Sequence, residues 1–156
     1  MVLIVPMILG VAVVSASAAG NHQQVPFWGS YSGTVATGSN GAPVFSGAGI
    51  ATHMGHSTSQ GYVVFTSAPI NFAGGVPNDN YETLTAANGD SFMIVSHDVA
   101  CPTGPYQYLG SGDWNVVKDS GTGGFTGISG QGTFDGNSDF SGGVFSMRLT
   151  GTISAP

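Results

Sequence analysis

The chain has 156 residues, 26 of them glycine, with only Lys118 and Arg148 against eight acids, for a net charge of −6. Charged residues make up 6%, against about 25% in ordinary soluble domains, which excludes a nucleic-acid partner and a basic membrane-surface protein, since both need clustered Lys and Arg. Hydrophobic residues at 41% and aromatics at 10% exclude disorder, and the length suits one domain with its own core. Solubility must then come from Ser, Thr, Asn and Gly, from attached glycan, or from burial in an assembly.

Residues 1–20 form an uncharged apolar segment, and residues 21–156 read as a single all-β domain. In the segment, Val2, Leu3, Ile4, Val5, Met7, Ile8, Leu9, Val11, Val13 and Val14 are rich in β-branched side chains, which favours strand over helix. A strand apolar on both faces must be covered on both, and left bare it aggregates. The expectation is a donated strand, inserted into a neighbouring copy beside an unpaired strand edge. A donated arm and its groove are different surfaces, so the contact is head-to-tail and grows an open helical filament. Pro6 interrupts the ladder. The other reading is a secretory signal cleaved after Ala16-Ser17-Ala18, although no Lys or Arg precedes the apolar run.

From Val25 onward, short β-rich runs alternate with Gly, Asn, Asp and Pro. Strands are expected near 27–35, 44–52, 61–66, 81–86, 91–97, 106–117, 125–126, 130–134 and 143–153. Asn88-Gly89-Asp90 is the strongest hairpin signal, because Asn-Gly supplies the positive φ angles of a tight turn. In the last run Phe145, Met147, Leu149, Gly151 and Ile153 share one face, which is assigned to the core. No window holds a period of 3.6, so no long helix is expected.

Each candidate for chemistry has a plainer structural reading. His53 and His56 stand three apart, which on a continuous strand points them to opposite faces unless Gly55 bends the chain. His97 and Asp98 are adjacent and diverge for the same reason. Asp135, Asn137 and Asp139 alternate as calcium ligands do, but Phe140 and Ser146 stand where a calcium loop needs Gly and Glu, so a polar turn is expected. Asp79-Asn80 also reads as a loop. The glycine-rich stretch 121–132 has no GK[ST] ending and no lysine for a phosphate; its glycines mark bulges and bends. Cys101, beside Pro102 and Gly104-Pro105, is expected near a turn as a small apolar filler, with a bridge to another chain as the alternative. Phe27, Trp28 and Tyr31 are candidate subunit-contact aromatics, and Tyr106, Tyr108 and Trp114 form a second group. The sequence holds no N-x-[ST] sequon, while its Ser and Thr leave O-linked sugar open.

The stretches Ile50-Ala51-Thr52-His53-Met54-Gly55, Leu84-Thr85-Ala86-Ala87-Asn88-Gly89-Asp90 and Gly121-Thr122-Gly123-Gly124-Phe125-Thr126-Gly127 resemble a widespread group of small secreted bacterial proteins of unassigned function. The last also resembles the GTGxFxGxxGxG turn of the allene oxide cyclase and dirigent-like barrels. This resemblance spans residues 27–153. It implies an eight-stranded antiparallel barrel or a closely related sandwich, here with an extended apolar N-terminal arm. It brings no active site, because the catalytic acids of those barrels match no position here. The leading expectation is a non-enzymatic subunit of an extracellular filament, partnered by its own copies and needing no cofactor or metal. The alternative is a secreted barrel whose pocket binds an apolar small molecule or carries isomerase-like chemistry.

Overall fold

The computed structural model describes residues 23–66 and 75–154, so the arm at residues 1–20 lies outside the described residues. Eight strands follow in order: β1 Gln24–Thr37, β2 Pro43–Ala51, β3 Gly55–Phe65, β4 Val76–Ala86, β5 Ser91–Gly104, β6 Gln107–Val116, β7 Gly130–Asp139 and β8 Val144–Ser154. Each pairs antiparallel with the next, and β8 returns to β1, so the barrel is closed. The β1–β8 ladder runs from Gln24 opposite Ser154 to Thr34 opposite Val144. The two strands that would edge an open sheet are therefore partners, and no described strand offers the free edge expected as acceptor for a donated arm.

Alternation along each strand separates the two walls. On β1, Phe27, Tyr31 and Val35 are buried inside, while Trp28, Ser30, Ser32 and Thr34 face out. Exposed Ser and Thr recur on the outer wall, as at Thr58, Thr133, Thr150 and Thr152. They let a chain with so few charges meet water. On β8 the core face is the expected one, with Phe145, Met147, Leu149 and Ile153 buried.

One end of the barrel is packed solid. Phe27 meets Trp114 edge-on at 5.6 Å and Phe92 at 6.0 Å, and Phe92 reaches Phe125 at 5.2 Å. Leu84, Ile94, Leu149 and Ile153 complete the plug. Each such aromatic pair adds about 0.5–1.5 kcal/mol beyond area burial. Inward glycines seat the rings. A β-carbon on Gly151 would stand 2.8 Å from Trp114 Cζ2, and one on Gly49 would stand 2.8 Å from Tyr31 Cδ1. This pairing explains why the sequence is rich in both glycine and aromatics. The stretch at 121–132 closes the same end. It holds a single 3-10 turn, Gly123–Phe125, that buries Phe125, with Ile128 beside it. Asp90 Oδ2 accepts the Gly124 amide at 2.9 Å and ties this loop to the β4–β5 turn.

Several local expectations change. The stretch 125–126 is turn, not strand, because its glycines wrap the barrel end. Asp79-Asn80 lies inside β4, where ladder pairing from Val76 to Thr85 overrides a loop-like composition. Asp135, Asn137 and Asp139 belong to β7, and the turn follows at residues 140–143. Cys101 is on β5 and exposed, not a buried filler. The Asn88-Gly89 hairpin is present, but only Gly89, at φ 91°, uses the left-handed region.

Candidate functional site

The other half of the barrel is hollow. At this end β1 finishes, β2 begins, and inward positions are small or polar: Gly33, Gly47, Gly61, Gly110, Gly136, Asn78, Asn80 and Ala100. An eight-stranded barrel has an interior that side chains just fill, or that holds one small ligand when they do not. The resulting cavity measures about 580 Å3 and runs from the buried Glu82 out to the exposed Phe65 and Tyr106.

Its wall has two chemistries. Phe45, Phe134, Phe145 and Met147, from β2, β7 and β8, give an apolar side, with Phe45 and Phe145 edge-on at 5.2 Å. β4 and β5 supply Asn78, Asn80, Glu82 and Asp98 on the facing side. Glu82 is 3% exposed and Asp98 7%. Ser59 Oγ donates to Glu82 Oε2 at 2.8 Å, and Asn80 Nδ2 donates to Asp98 Oδ2 at 3.1 Å. Among the described residues Asp98 Oδ1 has no hydrogen-bond partner, and neither has Ser96 Oγ. Deeper in, the Tyr31 hydroxyl and Ser57 Oγ are 2.9 Å apart.

Burial dominates the acidity of this floor. It pushes Glu82 up to about 7, with the Ser59 hydroxyl opposing and the Asp98 charge adding. Asp98 is pushed up to about 6 by burial, against the stabilising amides of Asn80 and Asn78 and with the Asp79 charge adding. The Tyr31 phenol is also raised by burial. Two carboxyls titrating near neutrality against an apolar wall can hold a cation, donate or accept hydrogen bonds, or move a proton.

Glycine makes room for both acids. Gly61 is the β3 partner of Glu82, and a β-carbon there would stand 2.6 Å from Glu82 Cγ. A β-carbon on Gly110 would stand 2.5 Å from Asp98 Oδ2.

The residues singled out from sequence are dispersed. Phe27 and Tyr31 point into the barrel, and Trp28 is the member of that group left at the surface, 48% exposed. Trp114 is core, Tyr108 lines the cavity, and Tyr106 is exposed beside it. His53 sits in the β2–β3 turn at φ 65° with Nε2 3.3 Å from the Pro26 carbonyl, and His56 is exposed on β3. His97 and Asp98 diverge as expected. Asp98 enters the cavity, while His97 faces out and pairs with Asp79 at 2.7 Å. No group of three or more His, Cys, Asp or Glu positioned for a metal occurs among the described residues. Val2, Leu3, Ile4, Val5, Met7, Ile8, Leu9, Val11, Val13 and Val14 lie outside the described residues. Glu82 was missed by the sequence reading. Its signal was parity: Asn78, Asn80 and Glu82 share a face with the buried Leu84.

No family model matches this chain, and no match to it was found among curated proteins or solved structures.

Proposed function

We propose that this protein is a binding barrel that takes one small, largely apolar molecule into the cavity, with its polar end on Glu82 and Asp98. The observation that supports the reading is the cavity itself. Its volume of about 580 Å3 falls within the usual range for ligand pockets, and its mostly apolar lining converges on a few polar groups. The small-residue pattern at Ala16-Ser17-Ala18 supports export, which makes the protein a secreted carrier or sensor in this proposal. The test is titration with a neutral naphthalene alcohol, followed by calorimetry. Ala100→Phe places a ring in the cavity beside Asp98 and should weaken binding about tenfold or more, equivalent to about 1.4 kcal/mol, with the β signature retained. Unchanged affinity in a folded Ala100→Phe variant would sink the reading.

A self-assembling extracellular subunit is the second reading, favoured by apolar side chains on the outer wall at the cavity end. Val44, Tyr62, Val64, Val99, Leu109 and Val144 are all exposed there. Sedimentation of the chain with and without residues 1–20 tests it. Filaments that vanish on truncation support it, and a monomer in both cases removes it.

A further inference from the structure

We propose that the cavity is selective for a protonated amine carried on an apolar body, with the ammonium group seated at Asp98 and Glu82 adding negative charge deeper in the floor. The inference rests on the ligand-binding reading and names the chemical class of the ligand.

Among the described residues, the two carboxyls of the floor have no counter-charge. Both are more than nine-tenths buried and line the cavity, and among the described residues Asp98 Oδ1 accepts no hydrogen bond. No basic side chain among the described residues reaches them. Lys118 is exposed in the β6–β7 loop, Arg148 is exposed on the outer wall of β8, and His53, His56 and His97 are exposed. A buried carboxylate without a counter-charge is costly, so this floor is incomplete in charge as well as in hydrogen bonds. An ammonium group supplies both, since it carries one positive charge and three donors. Its apolar body then lies against Phe45, Phe134, Phe145 and Met147. A carboxylate ligand would meet repulsion at the same place. A neutral alcohol could donate to the Asp98 carboxyl but brings no charge.

Binding changes proton occupancy without any covalent step. The ammonium keeps its protons, and a carboxyl that was protonated releases its proton to solvent. Affinity therefore rises with pH as the pair ionises. Among the described residues, the titratable groups around the pair are Tyr31 from β1 and Tyr108 from β6, with Tyr106 at the cavity mouth and Asp79 on the outer face of β4. The inner faces of β2, β3, β7 and β8 carry none.

Three ligands with one shared ring system separate the outcomes: naphthylmethylamine, naphthalenemethanol and naphthylacetic acid. Calorimetric titration of the full chain at about pH 8 should show the amine binding about tenfold or more tighter than the alcohol, with the acid weakest. At about pH 5 the amine's advantage should shrink. Asp98→Asn with Glu82→Gln should erase the amine's advantage while alcohol binding persists. Asp98→Asn alone gives the same reading if the double variant does not fold. Alcohol binding as tight as the amine, or an amine preference that survives Asp98→Asn unchanged, overturns the ammonium site and leaves the binding barrel standing. Failure of all three ligands overturns the binding barrel as well.

Discussion

Ser59 Oγ donates a 2.8 Å hydrogen bond to Glu82 Oε2 across β3 and β4, inside the barrel and out of contact with bulk water. A single hydroxyl does not offset the desolvation of a carboxylate, and Glu82 titrates at about 7 in place of its ordinary 4.5. The folded chain thus keeps a proton that the unfolded chain releases.

That difference predicts lower stability at alkaline pH. The contribution of Glu82 is fully present below about pH 4.5 and is lost as pH rises through about 7. Asp98 acts in the same direction, between its ordinary 3.8 and about 6. At roughly 1.4 kcal/mol per unit, Glu82 weakens the fold by about 3 kcal/mol at alkaline pH, and the less enclosed Asp98 weakens it by less. Urea unfolding should show a higher midpoint at about pH 5 than at about pH 8, and Glu82→Gln should remove more than half of the difference, because Asp98 has lost much of its own contribution below pH 5. A midpoint independent of pH in the wild-type chain would refute this account of the floor.

Gly151→Ala should be severely destabilising. The new β-carbon would stand 2.8 Å from Trp114 Cζ2 and closer still to the Gln131 carbonyl oxygen, in a part of the core with no room to move. Overpacking of this kind costs about 1–3 kcal/mol, and more where backbone must shift. Thermal unfolding followed by Trp fluorescence gives the readout.

Asp139 organises the β7–β8 turn at the cavity end. Its Oδ1 accepts the Ser141 amide at 2.8 Å and the Gly142 amide at 3.1 Å, together with the Ser141 hydroxyl. The Ser141 hydroxyl and the Gly142 amide are the main bonds that pull its carboxyl down to about 2. Because that value lies below the ordinary 3.8, the contribution is present above about pH 4 and is lost as pH falls through about 2. Asp139→Ala should speed hydrogen exchange of the Ser141 and Gly142 amides while leaving amides in the packed end unchanged.

Gly89→Ala should cost about 1–2 kcal/mol. Gly89 holds φ 91° in the β4–β5 turn, and its amide donates to the Ala86 carbonyl at 2.9 Å. A β-carbon there meets nothing within 4 Å, so the loss is purely conformational. Asn88→Ala tests a different part of the turn. It removes the Asn88 Oδ1 acceptor of the Asp90 amide at 3.0 Å, and both variants can be compared by denaturant midpoint.

The all-β class, the Asn88-Gly89 hairpin and the inward face of β8 can be read from the residues alone. Those features follow from turn chemistry and from a side-chain period of two, both of which act within a few residues. The strands β4 and β5 were only half legible, because Asn78, Asp79, Asn80, Pro102 and Gly104 have the composition of a loop. Ladder pairing across the barrel overrides that local preference. Closure lay beyond local reading and was implied by the resemblance alone, since the match of Gln24 to Ser154 joins the first described strand to the last. The cavity was decided by the tertiary structure alone. Glu82, Asp98, Gly61 and Gly110 are scattered over some fifty positions of sequence, and only curvature of the closed sheet turns their shared parity into a single inner wall. Burial on that wall then changes the chemistry of the acids, because desolvation depends on what surrounds a carboxyl in space and not on its neighbours in the chain.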